Sequence, residues 1–311
     1  MRVTANTFPN NLLDELTSLS QRQNKLQTQA ASGQLVRLPE DDPAAMRRIL
    51  DLQAQGKSVA QYQRNIARDQ ELATASFNSI KGLKQVSDRV REIAVSTDGL
   101  ESPEDLKLYA KEVTELIKQA VQTANSRNGA DYLFAGTLSD QPPFVLTTDA
   151  DGNVTSVAYQ GNTALAENEI ASGLTLSAQA VGANTSGGGP RGLITDSRVG
   201  ADFFNHLISL QNNLLSGNVT AVANTDQPNL DKDEDNLLFH LGSNGALQSR
   251  LEATNALAAQ HADTLDALVS KEADADLAQT LVRLSQTQTA YQAALQSAGK
   301  ILGSSLLDYL R

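Results

Sequence analysis

Both ends of the 311-residue chain carry side chains, most of them apolar, at alternating steps of four and three residues. Near the start these positions are Leu12, Leu16, Leu19, Gln23, Leu26 and Ala30; near the end they are Leu277, Leu281, Leu284, Gln288, Tyr291, Leu295, Ala298 and Leu302. This spacing lines up the side chains along one seam of an α-helix, which a second helix covers in a coiled coil. We therefore predict that residues 1–40 and 270–311 form long helices that pair with each other.

Residues 138–195 depart from the helical pattern of their flanks. FVLTT and VTSVAYQG, separated by DADGN, predict a β-hairpin, and LTLSAQAV (Leu174 to Val181) predicts a further strand. Helical patterns run through most of residues 41–137 and 196–269. Ser102-Pro103-Glu104-Asp105 predicts the start of a new helix, with Ser102 as its N-cap and Pro103 at its first position. A polar stretch, Ser216 to Asp235, is expected to separate two later helices. The predicted fold is mainly α, with a terminal coiled-coil pair, a helical bundle as inner domain (41–137 and 196–269) and an inserted β-rich outer domain (138–195), hence α+β overall.

Composition and charge argue against several classes of function. Only 4% of the residues are aromatic and Trp is absent, which suits helices packed side by side better than an enzyme around a ligand pocket. The net charge of −11 disfavours nucleic acid as a partner, because it repels phosphate. No window approaches the ~20 apolar residues of a membrane span, and the first residues lack the apolar run of a cleaved signal peptide. Without Cys there is no disulfide and no thiolate.

The terminal seams are poor in charge. Between Leu277 and Leu307 the charged residues are Arg283 and Lys300, and the rest of the outer face is Gln, Ser, Thr and Ala. A coiled coil that is free in water usually carries Glu and Lys on that face. We therefore expect these helices to be surrounded by copies of themselves, although a bundle with polar, uncharged faces is the alternative. The predicted subunit-interface residues are Leu12, Leu16, Leu19, Leu26, Leu281, Leu284, Tyr291, Leu295 and Leu302.

The stretch SGQLVRLPEDDPAA, Ser32 to Ala45, interrupts the helical pattern close to the start. Gly33 is suited to end the first helix, and Pro39 and Pro43 each push the preceding residue out of helical geometry. Asp42 can then act as the N-cap of the next helix, with Pro43 at its first position. We predict a hinge formed by Gly33, Pro39, Asp42 and Pro43; an ordinary helix–helix loop is the alternative.

No group of residues predicts catalysis, a cofactor or a metal. The three histidines, His206, His240 and His261, are not at metal-ligand spacing. DADGN lacks the glutamate that closes an EF-hand, and SGGGP lacks the Lys-Ser/Thr of a phosphate-binding loop. An enzyme therefore has no support in the sequence.

Several motifs resemble those of the flagellin-like axial proteins of the bacterial flagellum. SG-x-x-V-x-x-P-x-DDP-x-A is similar to the hallmark near the start of that family, and NGADYLFAGT (Asn128 to Thr137) resembles its N-G-x-x-x-F-x-G-T boundary, with one residue more before the Phe. QYQRNIARDQELA, VREIAV and GALQSRLEATNA resemble further family segments, in the right order. Within the family, Pro39 and Gln61-Tyr62 resemble the members at the hook–filament junction more than flagellin.

The resemblance implies a structural subunit of which a ring of copies joins the hook to the filament. It implies contact with the hook and the other junction protein on one side and with the flagellin filament on the other. It also implies export through the flagellar type III apparatus, with a chaperone at the C-terminal helix, and an extracellular location without nucleic acid or membrane as partner. A divergent flagellin is the closest alternative. A helical-stalk adhesin or signalling module is less compatible with the neutral seams.

Overall fold

The computed structural model describes residues 7–97 and 101–309, and it describes side chains in 11–97 and 101–300. The chain divides into two compact units, residues 1–58 with 260–311 and residues 59–259. Helices α2 (Pro43–Ser96) and α6 (Gln227–Ala273) contribute residues to both units. Long helices predominate, and small sheets occupy an inserted region, so the predicted fold class is confirmed.

The first unit contains the two terminal helices. Helix α1 (Thr7–Ser32) packs along α7 (Leu277–Tyr309), as the seams predicted. The start of α2 packs against the end of α6 through a small apolar cluster formed by Val36, Ala45, Ile49 and Ala273. Among the described residues of this unit, buried apolar side chains are few.

The second unit holds the main hydrophobic core. It is built by α2, α3 (Pro103–Ala124), α4 (Phe203–Leu215) and α6, and its fully buried side chains include Ile80, Leu83, Val90, Ile117, Leu207 and Leu237. Helix α3 begins where the sequence predicted. The backbone N–H of Asp105 donates to Ser102 Oγ at 3.2 Å, the Asp105 carboxylate accepts from the N–H of Ser102 in return, and Pro103 is the first helical residue.

Residues 127–202 contain four small sheets, so the strands extend beyond the predicted insert (138–195) at both ends. The strands are β1 (Arg127–Asn128), β2 (Asp131–Tyr132), β3 (Phe144–Thr148), β4 (Val154–Tyr159), β5 (Asn168–Ala171), β6 (Leu174–Leu176), β7 (Val181–Asn184), β8 (Gly192–Asp196) and β9 (Ala201–Asp202). Consecutive strands pair antiparallel as β1–β2, β3–β4 and β5–β6; β8 pairs parallel with β7 and antiparallel with β9. The β3–β4 pair is the predicted hairpin around DADGN.

Two predictions of local structure are wrong. Residues 174–181 do not form one strand, because β6 pairs with β5 while β7 pairs with β8, and the chain leaves one sheet for the other between them. The polar stretch from Ser216 to Asp235 is largely helical: a short α5 (Val219–Ala221), a π-helical turn (Val222–Asp226) and the start of α6. Its polar groups find tertiary partners. Asp226, for example, is buried and accepts hydrogen bonds from Ser209 Oγ and Asn213 Nδ2, both at 2.7 Å.

The segment NGADYLFAGT binds the inserted strands to the helical core. The carbonyl of Phe134 accepts from Tyr159 Oη at 3.0 Å and from the N–H of Gly182 at 2.9 Å, and the carbonyl of Ala135 accepts from the N–H of Asn162. Gly136 has a φ of +66°, and a side chain there would overlap the oxygens of Asn162. A glycine is therefore required at this position by both conformation and space.

The segment QYQRNIARDQELA on α2 receives the β5–β6 hairpin. Asn65 Nδ2 donates to the carbonyl of Glu169 at 2.7 Å, and Asn168 Nδ2 donates to Asp69 Oδ1 at 2.6 Å. Ile170 is buried in a cluster that includes residues of α2 and α6. The second carboxylate oxygen of Asp69 is buried and has no partner within the described part of the chain, and burial raises the pKa of this group.

We expect Asp69→Asn to stabilise the protein at pH 7 by about 1–2 kcal/mol, because a buried charge with one amide partner is costly. Since the pKa of Asp69 is raised in the folded state, its charged form opposes folding, and stability falls as the pH rises above 3.8. The gain from the variant will therefore be larger at pH 7 than at pH 4, as measured by denaturant unfolding. Asp140→Asn, at an exposed acid, is the control. An equal gain at both pH values would contradict the prediction.

Candidate functional site

The predicted seam of α1 is the face on which this helix is least exposed. Leu26 is buried, and Leu12, Leu16 and Leu19 are half-buried, whereas the neighbouring Leu13 is exposed. Helix α7 is the partner that packs along α1. The seam spacing in the sequence therefore identified the contact face of the first helix.

On α7 the observed contact face is rotated from the predicted seam. Its least exposed residues are Thr280, Leu284, Thr287, Tyr291, Ala294 and Ala298. Leu284 and Tyr291 lie on this face as predicted, but Leu281 and Leu295 are 55% and 46% exposed, and the side chain of Leu302 lies outside the described residues. Small residues let two helices approach closely. The Thr287 hydroxyl can face α1 because it donates to the carbonyl of Arg283 at 2.8 Å within its own helix.

The rotation leaves apolar side chains of α7 exposed. Leu277, Leu281 and Leu295 follow one another along the helix beside the contact face and are 48%, 55% and 46% exposed; we call them the α7 stripe. The charged residues within α7 up to Lys300 are Arg283 and Lys300 itself. An exposed apolar row with little charge around it is typical of a protein–protein contact.

The corner between α1 and α2 has the predicted local geometry. Gly33 has a φ of +72°, and its N–H donates to the carbonyl of Gln29 at 2.9 Å, which ends α1. Asp42 Oδ1 accepts from the N–H groups of Ala44 and Ala45 at 3.0 and 2.9 Å, and Pro43 is the first residue of α2. The predicted N-cap is thus confirmed, whereas movement about this corner stays a prediction.

The sequence did not predict that the corner between α1 and α2 is hydrogen-bonded to the connection between α6 and α7. Between α6 and α7, the carbonyl of Ala273 accepts from the N–H of Leu35 at 2.7 Å, and the N–H of Ala275 donates to the carbonyl of Gly33 at 2.8 Å. Asp276 caps α7 by accepting from the N–H of Gln279 at 3.0 Å. We call residues 33–42 with 273–276 the joint. The one available signal was the Asp before the seam of α7, a typical N-cap.

Asp41 holds the first half of the joint together. Its carboxylate pairs with Lys25 Nζ at 2.8 Å and accepts from the N–H groups of Arg37 and Leu38. The hydrogen bond from Lys25, supported by the two backbone donors, lowers the pKa of Asp41 to about 2. Because the neighbouring Asp42 already explained the cap, no sequence pattern singled out Asp41.

We expect Asp41→Asn to lower the free energy of unfolding at pH 7 by about 0.5–1 kcal/mol, because it removes a solvent-screened ion pair with Lys25 and weakens two hydrogen bonds from backbone N–H groups. Because the pKa of Asp41 is depressed in the folded state, its contribution is present above pH 3.8 and is lost as the pH falls towards 2. The difference between wild type and variant, measured by thermal unfolding, will therefore shrink on acidification. Asp51→Asn, at an exposed acid of the same unit, will show no such trend. A constant difference across this range would count against the role of Asp41.

Two of the three histidines make polar contacts within the second unit. His206 Nδ1 lies 2.7 Å from Asp233 Oδ2, His240 is buried, and His261 is exposed. Among the described residues, no group of three or more His, Cys, Asp or Glu side chains could hold a metal ion. Over the same residues, no helix is both long enough and apolar enough to cross a membrane.

Residues 3–139 match the family model described as the bacterial flagellin N-terminal helical region, which confirms the predicted resemblance for that part of the chain. A comparison of the sequence with curated proteins finds no match.

Solved structures share the fold. A provisionally assigned flagellar hook-associated protein from Vibrio parahaemolyticus aligns with a TM-score of 0.61 and 18% identity over 75% of this chain and 100% of the other. Flagellar hook-associated protein 3 from Legionella pneumophila gives 0.58 and 14% over 72% and 98%. FlgL from Bacillus cereus gives 0.55 and 17% over 71% and 99%.

Proposed function

We propose that this chain, whose residues 3–139 belong to the bacterial flagellin N-terminal helical region, is a structural subunit that joins the flagellar hook to the filament. The observation that carries the proposal is the fold shared with hook-associated proteins, which extends over 98 to 100% of those chains. Pro39 and Gln61-Tyr62 support a junction subunit over a filament subunit, because the sequence at these positions resembles that of junction proteins more than that of flagellin.

In this proposal the terminal helices carry the assembly. Copies meet in a ring through the terminal helices. Leu281 and Leu295 of the predicted interface lie on the α7 stripe, which supplies apolar surface that α1 does not cover. Leu26, Leu284 and Tyr291, by contrast, lie on the contact face between α1 and α7 of one chain. The near absence of charge on α7 supports this role, because repeated like charges at a crowded axis would repel. The hook and the other junction protein lie on one side of the ring and the flagellin filament on the other. The subunit has no catalytic activity and needs no cofactor.

We further propose that three parts of the chain have different structural roles. Residues 1–40 and 270–311 form the axial helices, residues 41–137 and 196–269 the inner domain, and residues 138–195 an outer domain exposed to solvent. Gly33, Pro39, Asp42 and Pro43 set the direction in which the chain enters the inner domain. Export proceeds through the flagellar type III apparatus, with a chaperone on the C-terminal helix, and the protein resides outside the cell.

A second candidate is a divergent flagellin that forms the filament itself, and the match of residues 3–139 to a flagellin region favours it. The two functions differ in how far assembly proceeds. A filament subunit polymerises into long fibres after purification, whereas a junction subunit stops at short rings on hook ends.

Deletion of the gene tests the proposal. We expect bare hooks by electron microscopy and flagellin monomers released into the medium, because filament growth has no base on which to begin. Complementation with the wild-type gene should restore filaments. Loss of all flagellin from both cells and medium would instead identify the chain as the filament subunit, and intact filaments in the deletion strain would overturn both candidates.

A further inference from the structure

A cleft of about 250 Å³ opens in the second unit, between the inserted region and the helices. Most of its walls are apolar and come from Ile80 on α2, Ala180 and Pro190 in the insert, and Leu247 on α6. Arg191, Phe239 and His240 line one side. The cleft takes no part in the terminal helix pair or in the joint.

Arg191 is held in place, and its side-chain partners among the described residues are an aromatic ring and an amide. Its guanidinium lies over the ring of Phe239, 4.2 Å from the centroid, and its Nε donates to Asn236 Oδ1 at 2.6 Å. Within the described residues, Arg191 forms no ion pair, whereas Arg91 and Arg198 of the same unit do. The two terminal nitrogens of Arg191 thus remain as a fixed, planar donor pair, the arrangement that binds a carboxylate in bidentate fashion.

Among the described residues that line the cleft, Arg191 is the single charged side chain. Burial lowers the pKa of His240 to about 4, so this ring is neutral at physiological pH, and its Nε2 lies 3.1 Å from the carbonyl of Gly192. The other polar lining groups are the amides of Gln179 and Asn244 and the hydroxyl of Ser243. The cleft thus offers one preorganised cation between apolar walls. Such a site fits a single carboxylate at the end of an apolar side chain better than it fits a free multivalent anion.

We propose that the cleft receives a Glu or Asp side chain from a second copy of this chain. Residues 59–259 contain 24 acidic and 14 basic residues, so two such units repel unless cations of one meet acids of the other. Phe239 and the adjacent Leu238 are 47% and 45% exposed at the rim, as expected for a surface that another protein covers. The inference rests on the proposed function in that copies must lie side by side in the ring.

Photo-crosslinking in assembled flagella tests the occupant. A benzophenone amino acid replaces Ser243, an exposed residue of the cleft lining, in the full-length protein. We expect a covalent dimer of this chain, with the adduct mapped by mass spectrometry to a peptide that contains an unpaired acid. Adducts to another flagellar protein alone, or no adduct in assembled flagella, would overturn the proposal.

A charge reversal tests the role of Arg191 itself. Arg191→Glu should reduce the yield of crosslinked dimer about tenfold or more, because like charges would then meet in the cleft. Arg250→Glu, at an exposed arginine that forms no ion pair among the described residues, should leave the yield unchanged. Arg191→Gln serves as a milder variant if the reversal prevents folding, and it should also lower the yield. An unchanged yield with a folded Arg191 variant would overturn the inference.

The same strains separate this inference from the proposed function. Suppose that the wild-type protein joins hooks to filaments and the Arg191 variants give wild-type yields of crosslinked dimer. The cleft then does not bind an acid of a second copy, and the proposed junction function is unaffected. If the wild-type gene itself fails to restore filaments in the deletion strain, the proposed function fails whatever the crosslinks show.

Discussion

In the free protein, backbone amides around Leu16, Leu19, Leu284 and Tyr291 will exchange with solvent much faster than those around Ile80. The contact face of the terminal pair is only half-buried at most positions, whereas Ile80 is 1% exposed in the main core. Ordering a residue costs about 1–2 kcal/mol of backbone entropy, and full burial of a leucine returns only about 1.5–3 kcal/mol. Two large apolar residues in every seven positions of the seam therefore return less free energy than the ordering of those seven residues costs.

The measurement is hydrogen exchange with mass spectrometry on the monomer and on assembled flagella. We expect differences of orders of magnitude between the terminal helices and the core in the monomer, and slow exchange in both after assembly. The second half of α2 is the internal reference, because it belongs to the same molecule and the same core. Terminal amides in the monomer as protected as those around Ile80 would show that the helices are stable without partners.

The double variant Leu281→Asp with Leu295→Asp will be exported and folded but will not stay on the hook. Both side chains are about half exposed in the single chain, so we expect a change in stability of about 0.5 kcal/mol or less. In the proposed ring, each copy would bury two unpaired carboxylates, at a cost of several kcal/mol that is repeated at every contact. Motility should therefore be lost.

Immunoblots of cells and medium measure this effect, since variant protein that cannot be retained accumulates in the medium. Leu257→Asp is the matched control, because Leu257 is 66% exposed on α6, outside the α7 stripe. Normal motility in the double variant would show that the α7 stripe is not part of the subunit interface. Loss of motility in the control as well would indicate a general effect of added charge.

The sequence alone predicted those helix ends and turns whose determining residues lie within a few positions of them. Ser102, Pro103 and Asp105 predicted the start of α3, and Gly33 with Asp42 and Pro43 predicted the ends of the helices at the corner. DADGN predicted the turn of the β3–β4 hairpin. Capping and turn formation depend on local hydrogen bonds and backbone conformation, so these elements follow from short stretches of chain.

Tertiary structure decided which face of α7 meets α1. The periodic pattern ran through Leu281 and Leu295, yet the contact uses Thr280 and Ala294, one position earlier in each case. The four-and-three spacing of a seam determines the helical period. It does not determine which of two adjacent helix faces meets the partner helix, because both faces include residues such as Leu284. The rotation is set by how closely the two backbones approach, and that depends on both helices at once.

The joint, the orphaned oxygen of Asp69 and the cleft at Arg191 also required the fold. Leu35 meets Ala273, Asp69 meets Asn168, and Arg191 meets Asn236 and Phe239, in each case across many intervening residues. Such pairs leave no periodic trace in a single sequence, because each partner separately looks like an ordinary loop or helix residue. Their chemistry arises from burial and from the removal of competing water, and these exist only once the helices and strands have packed.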